Sequence, residues 1–376
     1  MPWGSGSTAW FETLFGFSEG GSFSATQKEF QLEGEELVCA KSTAAERMFV
    51  GPWETPSLQD LRERIAALPA DAASSAGGLT FKHLATPTGV VDLILAPENA
   101  GAVFQAASQF NALEMTGPGV SPRQGIAIYA NDPTQGPKCA LSCPAGTVFR
   151  NYCVDVGGGK RGQGEKQIDT LADVGEVLGN SNGKYWLMKN GYALPATATA
   201  MRELGARFKK DAALADEAEK ALRVGVHWDT QCRPPHTHRV CQVYASALPV
   251  AYAPNVRAAD WEPFARVVLR AAYEATLAVG RLKAAKAGGR AAVFLTSLGG
   301  GAFGNRFEWI REALSDALHT HRDSPLDVVL VHYGTRVPND WQAMPLPEAA
   351  GDDEPDAKKV RNDSTDAARA TPGSAL

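Results

Sequence analysis

The sequence predicts an α/β protein in which helices cover both faces of a mostly parallel or mixed sheet. Three observations carry this expectation. Short apolar runs, Ala102–Ser108, Ala292–Leu298 and Leu326–His332, have the length and composition of strands buried on both faces. Amphipathic stretches of helical length alternate with them through the last third of the chain. Between one such strand and helix stands the glycine-rich segment Gly299–Asn305, a typical strand-to-helix connection around a ligand.

Taken in order, residues 1–28 are rich in Gly and Ser and read as a loose N-terminal extension. Phe30 to Lys41 reads as a short strand. Ser57 is placed to cap a helix ending at Leu68, with Asp60 three residues on. An Ala/Ser/Gly loop over 70–78 follows, and then two apolar runs, Gly89–Leu95 and Ala102–Ser108, both read as strands. Residues 110–137 form polar loops, and 157–164 (GGGKRGQG) an exposed one. Ala196–Leu222 is helical by composition. Leu222–His227 and Val240–Leu248 are strands. Asp260 can cap a long helix with Phe264, Val268, Ala271, Ala275 and Ala278 on one stripe and Pro263 in its first turn. The strand Ala292–Leu298, the loop Gly299–Asn305, the helix Phe307–Leu318 and the strand Leu326–His332 complete the fold. Residues 343–376 carry almost no large apolar side chains and read as a disordered tail. One domain over 29–342 is expected, with its core at about 81–334.

Bulk composition excludes several classes. The net charge is -5, without a basic block, which argues against a nucleic-acid partner. No apolar stretch is long enough to span a membrane. The start lacks a cationic segment and an apolar core, and six cysteines in 376 residues make no disulfide framework. A cytoplasmic location is therefore expected.

Gly299, Gly300 and Gly301, followed by Ala302, Phe303, Gly304 and Asn305, let backbone come close to a ligand and turn N–H groups towards it. The helix start adds free donors, so phosphate or diphosphate suits the site. Gly299, Gly301 and Gly304 also fit a dinucleotide fingerprint, but the next strand ends His332-Tyr333-Gly334, without the ribose-binding acid. No Lys-Ser or Lys-Thr follows, which excludes a Walker loop. A tight turn without ligand is the remaining alternative. The run through Gln105, Ser108, Gln109, Asn111 and Glu114, with Asn131, Asp132, Thr134 and Gln135 beyond, offers amides and carboxylates for a sugar. Asp229 in HWDTQ is a further carboxylate, able to serve a leaving nitrogen or to hold a guanidinium; as a turn residue it would do neither. Cys232, His236, His238 and Cys241 could bind zinc, as could the looser Cys139, Cys143 and Cys153; simple burial explains both sets, and no metal is assigned.

QAASQFNALE, YANDPTQGP, GVHWDTQ, QVYASALPVAY and LGGGAFGN together resemble the macrodomain family over Phe81 to Gly334. They are similar in particular to a divergent branch that removes ADP-ribose from arginine, found in eukaryotes and in bacterial effectors acting on ubiquitin. The resemblance implies a three-layer α/β/α fold and an ADP-ribosyl hydrolase that cleaves an N-glycosidic bond. ADP-ribose would be ligand or product, no cofactor would be required, and the partner would be an ADP-ribosylated protein, with ubiquitin one candidate. Gly299–Asn305 would cradle the diphosphate. Glu98 and Asn99 would lie at the adenine, Gln105, Ser108, Gln109 and Asn111 at the sugar, and Glu114, Asp132 and Asp229 would be the catalytic candidates. The family's usual asparagine is Ser108 or Asn111 here, and Glu98 stands for an aspartate. A non-catalytic reader of ADP-ribosylated proteins and a hydrolase of a free ADP-ribose derivative are the alternatives.

Overall fold

A computed structural model describes residues 8–342 except 43, 45 and 70–76. The expected tail and most of the expected Ala/Ser/Gly loop lie outside the described residues. Strands and helices are numbered along the chain. Seven strands build the central sheet: β4 (Trp53–Glu54), β5 (Thr80–Thr86), β6 (Val103–Ala107), β9 (Gly225–Gln231), β10 (Arg239–Ala245), β11 (Ala291–Leu295) and β12 (Leu326–Tyr333). Their order is β4-β9-β10-β6-β11-β12-β5. From β10 to β5 every pairing is parallel, whereas β9 runs antiparallel to β10 and β4 antiparallel to β9. The sheet is therefore mixed, as expected.

Alternation of side chains decides what covers each face. Val103, Val243, Val293, Val328 and Leu330 meet α10 (Ala258–Ala287) and α11 (Phe307–Thr320) on one side. Phe104, Tyr244, Phe294 and Val329 meet α4 (Val90–Leu95) and α5 (Gln135–Ser142) on the other. Phe104 and Phe294 stack across β6 and β11 with ring centroids 4.6 Å apart. α10 is buried on almost every turn because it crosses beneath the centre of the sheet. It starts at Ala258 with Arg257 as its cap, and Asp260 sits in its first turn, so Pro263 falls one turn later than expected. Ser57 and Asp60 close a reciprocal capping box on α3 (Leu58–Ala66), as their spacing predicts. The expected helix over 196–222 breaks at Asp211 into α8 (Ala198–Lys210) and α9 (Ala212–Ala221).

Two expectations are corrected. The run 89–95 is the helix α4, not a strand; six apolar-rich residues fit either period, and packing against α5 decides. The N-terminal segment is not loose over its described part. α1 (Ala9–Phe15), α2 (Phe23–Lys28) and a small antiparallel sheet of β1 (Gln31–Glu33), β2 (Glu36–Val38) and β3 (Arg47–Phe49) pack Trp10, Phe11, Phe15 and Phe30 against Tyr129 and Tyr152. Each such aromatic burial contributes about 1.5–3 kcal/mol. Phe30–Lys41 thus holds a hairpin, not one strand. β7 (Trp186–Lys189) and β8 (Tyr192–Pro195) form a separate hairpin. Among the described residues no helix is long and apolar enough to cross a membrane.

Candidate functional site

Because β10, β6, β11, β12 and β5 are parallel, the loops leaving them gather at one edge. β6 is also where the order reverses, since the chain passes from β10 through α10 to β11 on the far side of β6. Ligands of open α/β sheets bind at such a place. β11 pairs with β6 only through Val293 and Phe294, after which the two strands part. The Gln135 side chain fills the gap, donating to the Gln105 carbonyl at 2.7 Å and accepting from the Ala107 N–H at 2.7 Å.

The glycine loop lies at this edge. Gly299 and Gly304 have φ of +73° and +71°, the left-handed region that favours glycine. A Cβ on Gly299 would also stand 2.4 Å from the Ala247 Cβ. Asn305 is buried and donates to the Leu248 carbonyl at 2.9 Å, and Ala251 N–H donates to the Phe303 carbonyl at 2.9 Å, so the loop is tied to the segment after β10. Gly300 N–H, Gly304 N–H and Asn305 N–H turn inwards to carbonyls of the same loop. Gly301, Ala302 and Phe303 N–H meet no acceptor among the described residues. Gly300, Gly301 and Ala302 are exposed, and a Cβ on Gly301 would meet nothing within 4 Å.

Phe303 joins Tyr192 and Tyr252 in an aromatic cluster, with centroids 5.4 Å and 5.7 Å from it. Tyr192 donates to the Met115 carbonyl at 2.8 Å and so links the glycine loop to the loop after β6. Burial first, then neighbouring Tyr252 and Asp132, push the Tyr192 phenol up. Asp132 accepts from both Thr134 N–H and Thr134 Oγ1, 2.8 and 2.6 Å away, just before α5. At the end of β12 stands Tyr333, 81% exposed.

The edge thus unites Gly299–Asn305, the loop through Ser108, Gln109, Asn111 and Glu114, and Asp132. Most of that second loop does not open to solvent. Gln105 is wholly buried, donating to Thr276 Oγ1 at 3.0 Å and accepting from Thr296 N–H at 3.3 Å. Ser108 donates to the Leu113 carbonyl, Gln109 exchanges two bonds with Met115, and Asn111 accepts from Leu113 N–H while donating to Gln167. These side chains are buried and bonded within the chain, which departs from their expected part as sugar ligands.

Glu114 is also buried, 3.3 Å from Arg150, with both side chains fully excluded from water. Arg150 donates through Nε to the Ala112 carbonyl at 2.8 Å and stacks on the Tyr244 ring at 3.6 Å. Ala112 itself takes φ +55°, a left-handed conformation costly for a non-glycine residue. Arg150 and Glu114 therefore hold this loop from beneath, and Glu114 positions it from within the core. Burial raises the Glu114 carboxyl to about 7 although Arg150 pulls it down. The folded chain thus holds this proton more tightly than the unfolded chain. Its stabilisation is complete below about 4.5 and is lost as pH rises through about 7. Thermal melts should show stability falling between these values, and the fall should vanish in Glu114→Gln; an unchanged pH profile in that variant would contradict the assignment.

Three expected site residues lie elsewhere. Antiparallel β9 carries Asp229 to the opposite edge, where it pairs with Lys283 at 2.8 Å. Glu98 and Asn99 precede β6 and so also sit at that opposite edge, with Asn99 donating to the Leu93 carbonyl. None of the three can share a ligand with the glycine loop. The sheet likewise divides the cysteine-histidine set: Cys232 touches His238 at 3.3 Å on the α4 side, and Cys241 faces α10. Among the described residues no group of three His, Cys, Asp or Glu is arranged to hold a metal. The expected exposed loop 157–164 is exposed only to Arg161; Gln163 is buried and donates to the Asn111 and Arg150 carbonyls.

Similar architectures exist among solved structures. The chain is similar to a poly(ADP-ribose) glycohydrolase from Thermomonospora curvata, with 13% identity, 83% of this chain and 93% of that one covered, and a TM-score of 0.40. It is similar to that from Deinococcus radiodurans in complex with ADP-ribose, with 13% identity, coverage of 76% and 88%, and a TM-score of 0.40. A Thermomonospora curvata glycohydrolase bound to the inhibitor ADP-HPD gives 12%, 84%, 94% and 0.40. No protein-family model matches the chain, and no curated protein does.

Sequence reasoning missed Arg150, Tyr192 and Tyr333, and it named Gln135 for a sugar without seeing that its side chain bridges Gln105 and Ala107. Tyr333 had a signal, an aromatic residue ending a buried strand before Gly334. Gln135 and Arg150 act over more than 25 residues of sequence separation, and no local pattern shows such partners.

Proposed function

We propose that this protein binds ADP-ribose and hydrolyses its N-glycosidic link to arginine side chains of a protein, with ubiquitin as one candidate. The observation that carries the reading is the exposed loop whose Gly301, Ala302 and Phe303 N–H groups meet no acceptor among the described residues, at the carboxyl edge of the sheet beside the switch at β6. Such amides suit a diphosphate. The macrodomain-like motifs LGGGAFGN and QAASQFNALE, which fall on the two loops of this edge, support the same ligand.

In this reading the diphosphate lies on Gly301–Phe303, and the aromatic cluster of Phe303, Tyr192 and Tyr252 flanks the sugar beyond it. Tyr333 offers an exposed ring for stacking the base. Asp132 is the one carboxylate of the three catalytic candidates that is both at this edge and partly open to solvent. It holds the cationic guanidinium and favours cleavage through an oxocarbenium-like state, in which positive charge develops on the sugar. Lacking a metal or cofactor in its chemistry, the reaction needs only water as co-reactant.

The test is release of ADP-ribose from an arginine-ADP-ribosylated protein. Asp132→Asn should slow release by at least about 100-fold while leaving the affinity for free ADP-ribose within a few-fold. Binding without release by the parent protein would make it a reader; release confined to free ADP-ribose derivatives would make it a small-molecule hydrolase.

A further inference from the structure

Next to the proposed ligand edge, β5 and β12 bring two histidines into contact. His83 Nδ1 lies 3.0 Å from His332 Nε2, so one nitrogen must donate and the other accept. Both rings pack against Trp341 in α12 (Asn339–Gln342), at 6.2 and 5.7 Å between centroids. Trp341 also packs edge-on to Phe307, the first residue of α11, at 4.8 Å. Trp341 is buried, and so is His332. His83 Nε2 is buried without a hydrogen-bond partner among the described residues.

This arrangement tolerates only neutral rings. One added proton leaves the 3.0 Å bond between an imidazolium and an imidazole but buries a charge and puts an N–H on His83 Nε2; a second breaks the bond and sets two cations side by side. A proton on His83 Nε2 places an N–H where no acceptor waits among the described residues. Among the described residues no opposite charge compensates. Lys82 on β5 points to the other face of the sheet, and Asp327 on β12 is engaged by Arg290 and Thr80. On α11, Arg311 stands over the Phe307 ring and Glu308 is exposed; Asp340 on α12 is exposed, and so is Arg336 in the preceding loop.

We propose that His83 and His332 form an acid-released latch: neutral, they hold Trp341 against the start of α11 and brace the ligand edge, and protonated, they let it go. The bracing follows from position. Phe307 lies two residues after Asn305 of the glycine loop, and His332 directly precedes Tyr333. Burial lowers both imidazoles, His332 to about 4 with His83 as a second cause. The sign follows: the folded state prefers the unprotonated rings, so the latch is fully closed above the ordinary histidine value and weakens progressively as pH falls below it. The consequence for ligand rests on the ADP-ribose reading; the latch itself does not.

The latch is read without ligand, from the difference in tryptophan emission between the parent protein and Trp341→Phe, and from hydrogen exchange over residues 335–342. On acidification from neutral pH the Trp341 contribution should shift to the red and exchange over 335–342 should accelerate, before global unfolding. His332→Gln, which keeps a hydrogen-bonding side chain and cannot take the charge, should lose the transition. Trp341 emission that stays constant until global unfolding would overturn the latch, as would a transition that survives in both His332→Gln and His83→Gln. If neither variant folds, titration of the two imidazoles in the parent by NMR decides: both must protonate in step with the exposure of Trp341. ADP-ribose titrations at neutral and acid pH separate the two claims. Weakening on the order of tenfold as Trp341 is released supports the coupling, and unchanged affinity with Trp341 released overturns it. No binding at neutral pH would sink the functional reading and leave the latch standing.

Discussion

Gly301→Leu should reduce affinity for ADP-ribose by roughly 100-fold, about 3 kcal/mol, while changing stability by no more than about 0.5 kcal/mol. The reason for the second half is geometric. Gly301 does not sit in the left-handed region, its Cβ would meet nothing within 4 Å, and the residue is exposed. Nothing in the folded chain asks for glycine here; a ligand that lies on the Gly301–Phe303 amides does. Gly299→Leu is the contrasting variant. Its φ of +73° and the approaches to Ala247 Cβ at 2.4 Å and Asn305 Nδ2 at 2.6 Å demand glycine for the turn itself. That variant should lose stability as well as affinity. Calorimetric titration with free ADP-ribose and thermal melts of both proteins check the pair. A Gly301→Leu protein that binds like the parent would mean that the loop is a turn and nothing more.

Arg150→Met should destabilise the protein by about 3–5 kcal/mol at neutral pH and weaken ligand binding with it. The substitution removes the donor to the Ala112 carbonyl, unstacks Tyr244 and leaves Glu114 buried without its partner, in the protonated form. Much of the loss is the Ala112 carbonyl left without its donor and the Tyr244 ring left without its stacking partner, because Glu114, already raised to about 7 beside Arg150, keeps its proton once Arg150 is gone. Two corollaries follow. The deficit should widen as pH rises above about 7, where Glu114 ionises beside Arg150 in the parent but keeps its proton in the variant. The double variant Arg150→Met/Glu114→Gln should be more stable than the sum of the two single losses, since it removes both charges at once. Chemical denaturation of the four proteins of this cycle measures the coupling. Strict additivity would show that the two groups do not act as a pair.

The elements legible in the sequence were those whose local pattern and packing agree. β6, β11 and β12 read as strands because both faces are buried, and α3, α10 and α11 as helices because cap or stripe was explicit. β5 escaped notice because it is a half-buried edge strand with Lys82, His83 and Thr86 among its residues. α4 was misread because its apolar run is too short to distinguish the two periods.

The site was legible to the same degree. The glycine loop announced itself, since a positive φ at Gly299 and Gly304 constrains residue type at the position itself. Asp229, Glu98 and Asn99 were misplaced because a sequence shows that a strand exists and not which way it runs. The antiparallel turn of β9 sends Asp229 to the far edge, and Glu98 enters β6 from its start. Glu114 was read as a catalytic candidate, and its burial against Arg150 had no local signal because that partner lies 36 residues away.

The central claim is that the Gly301, Ala302 and Phe303 amides bind the diphosphate of ADP-ribose. Amide NMR or hydrogen exchange with and without free ADP-ribose tests it at those three residues. The account predicts that they shift or gain protection as ligand saturates, ahead of amides near Asp229 and Glu98. No binding, or binding that leaves these three amides unchanged while others respond, would contradict it.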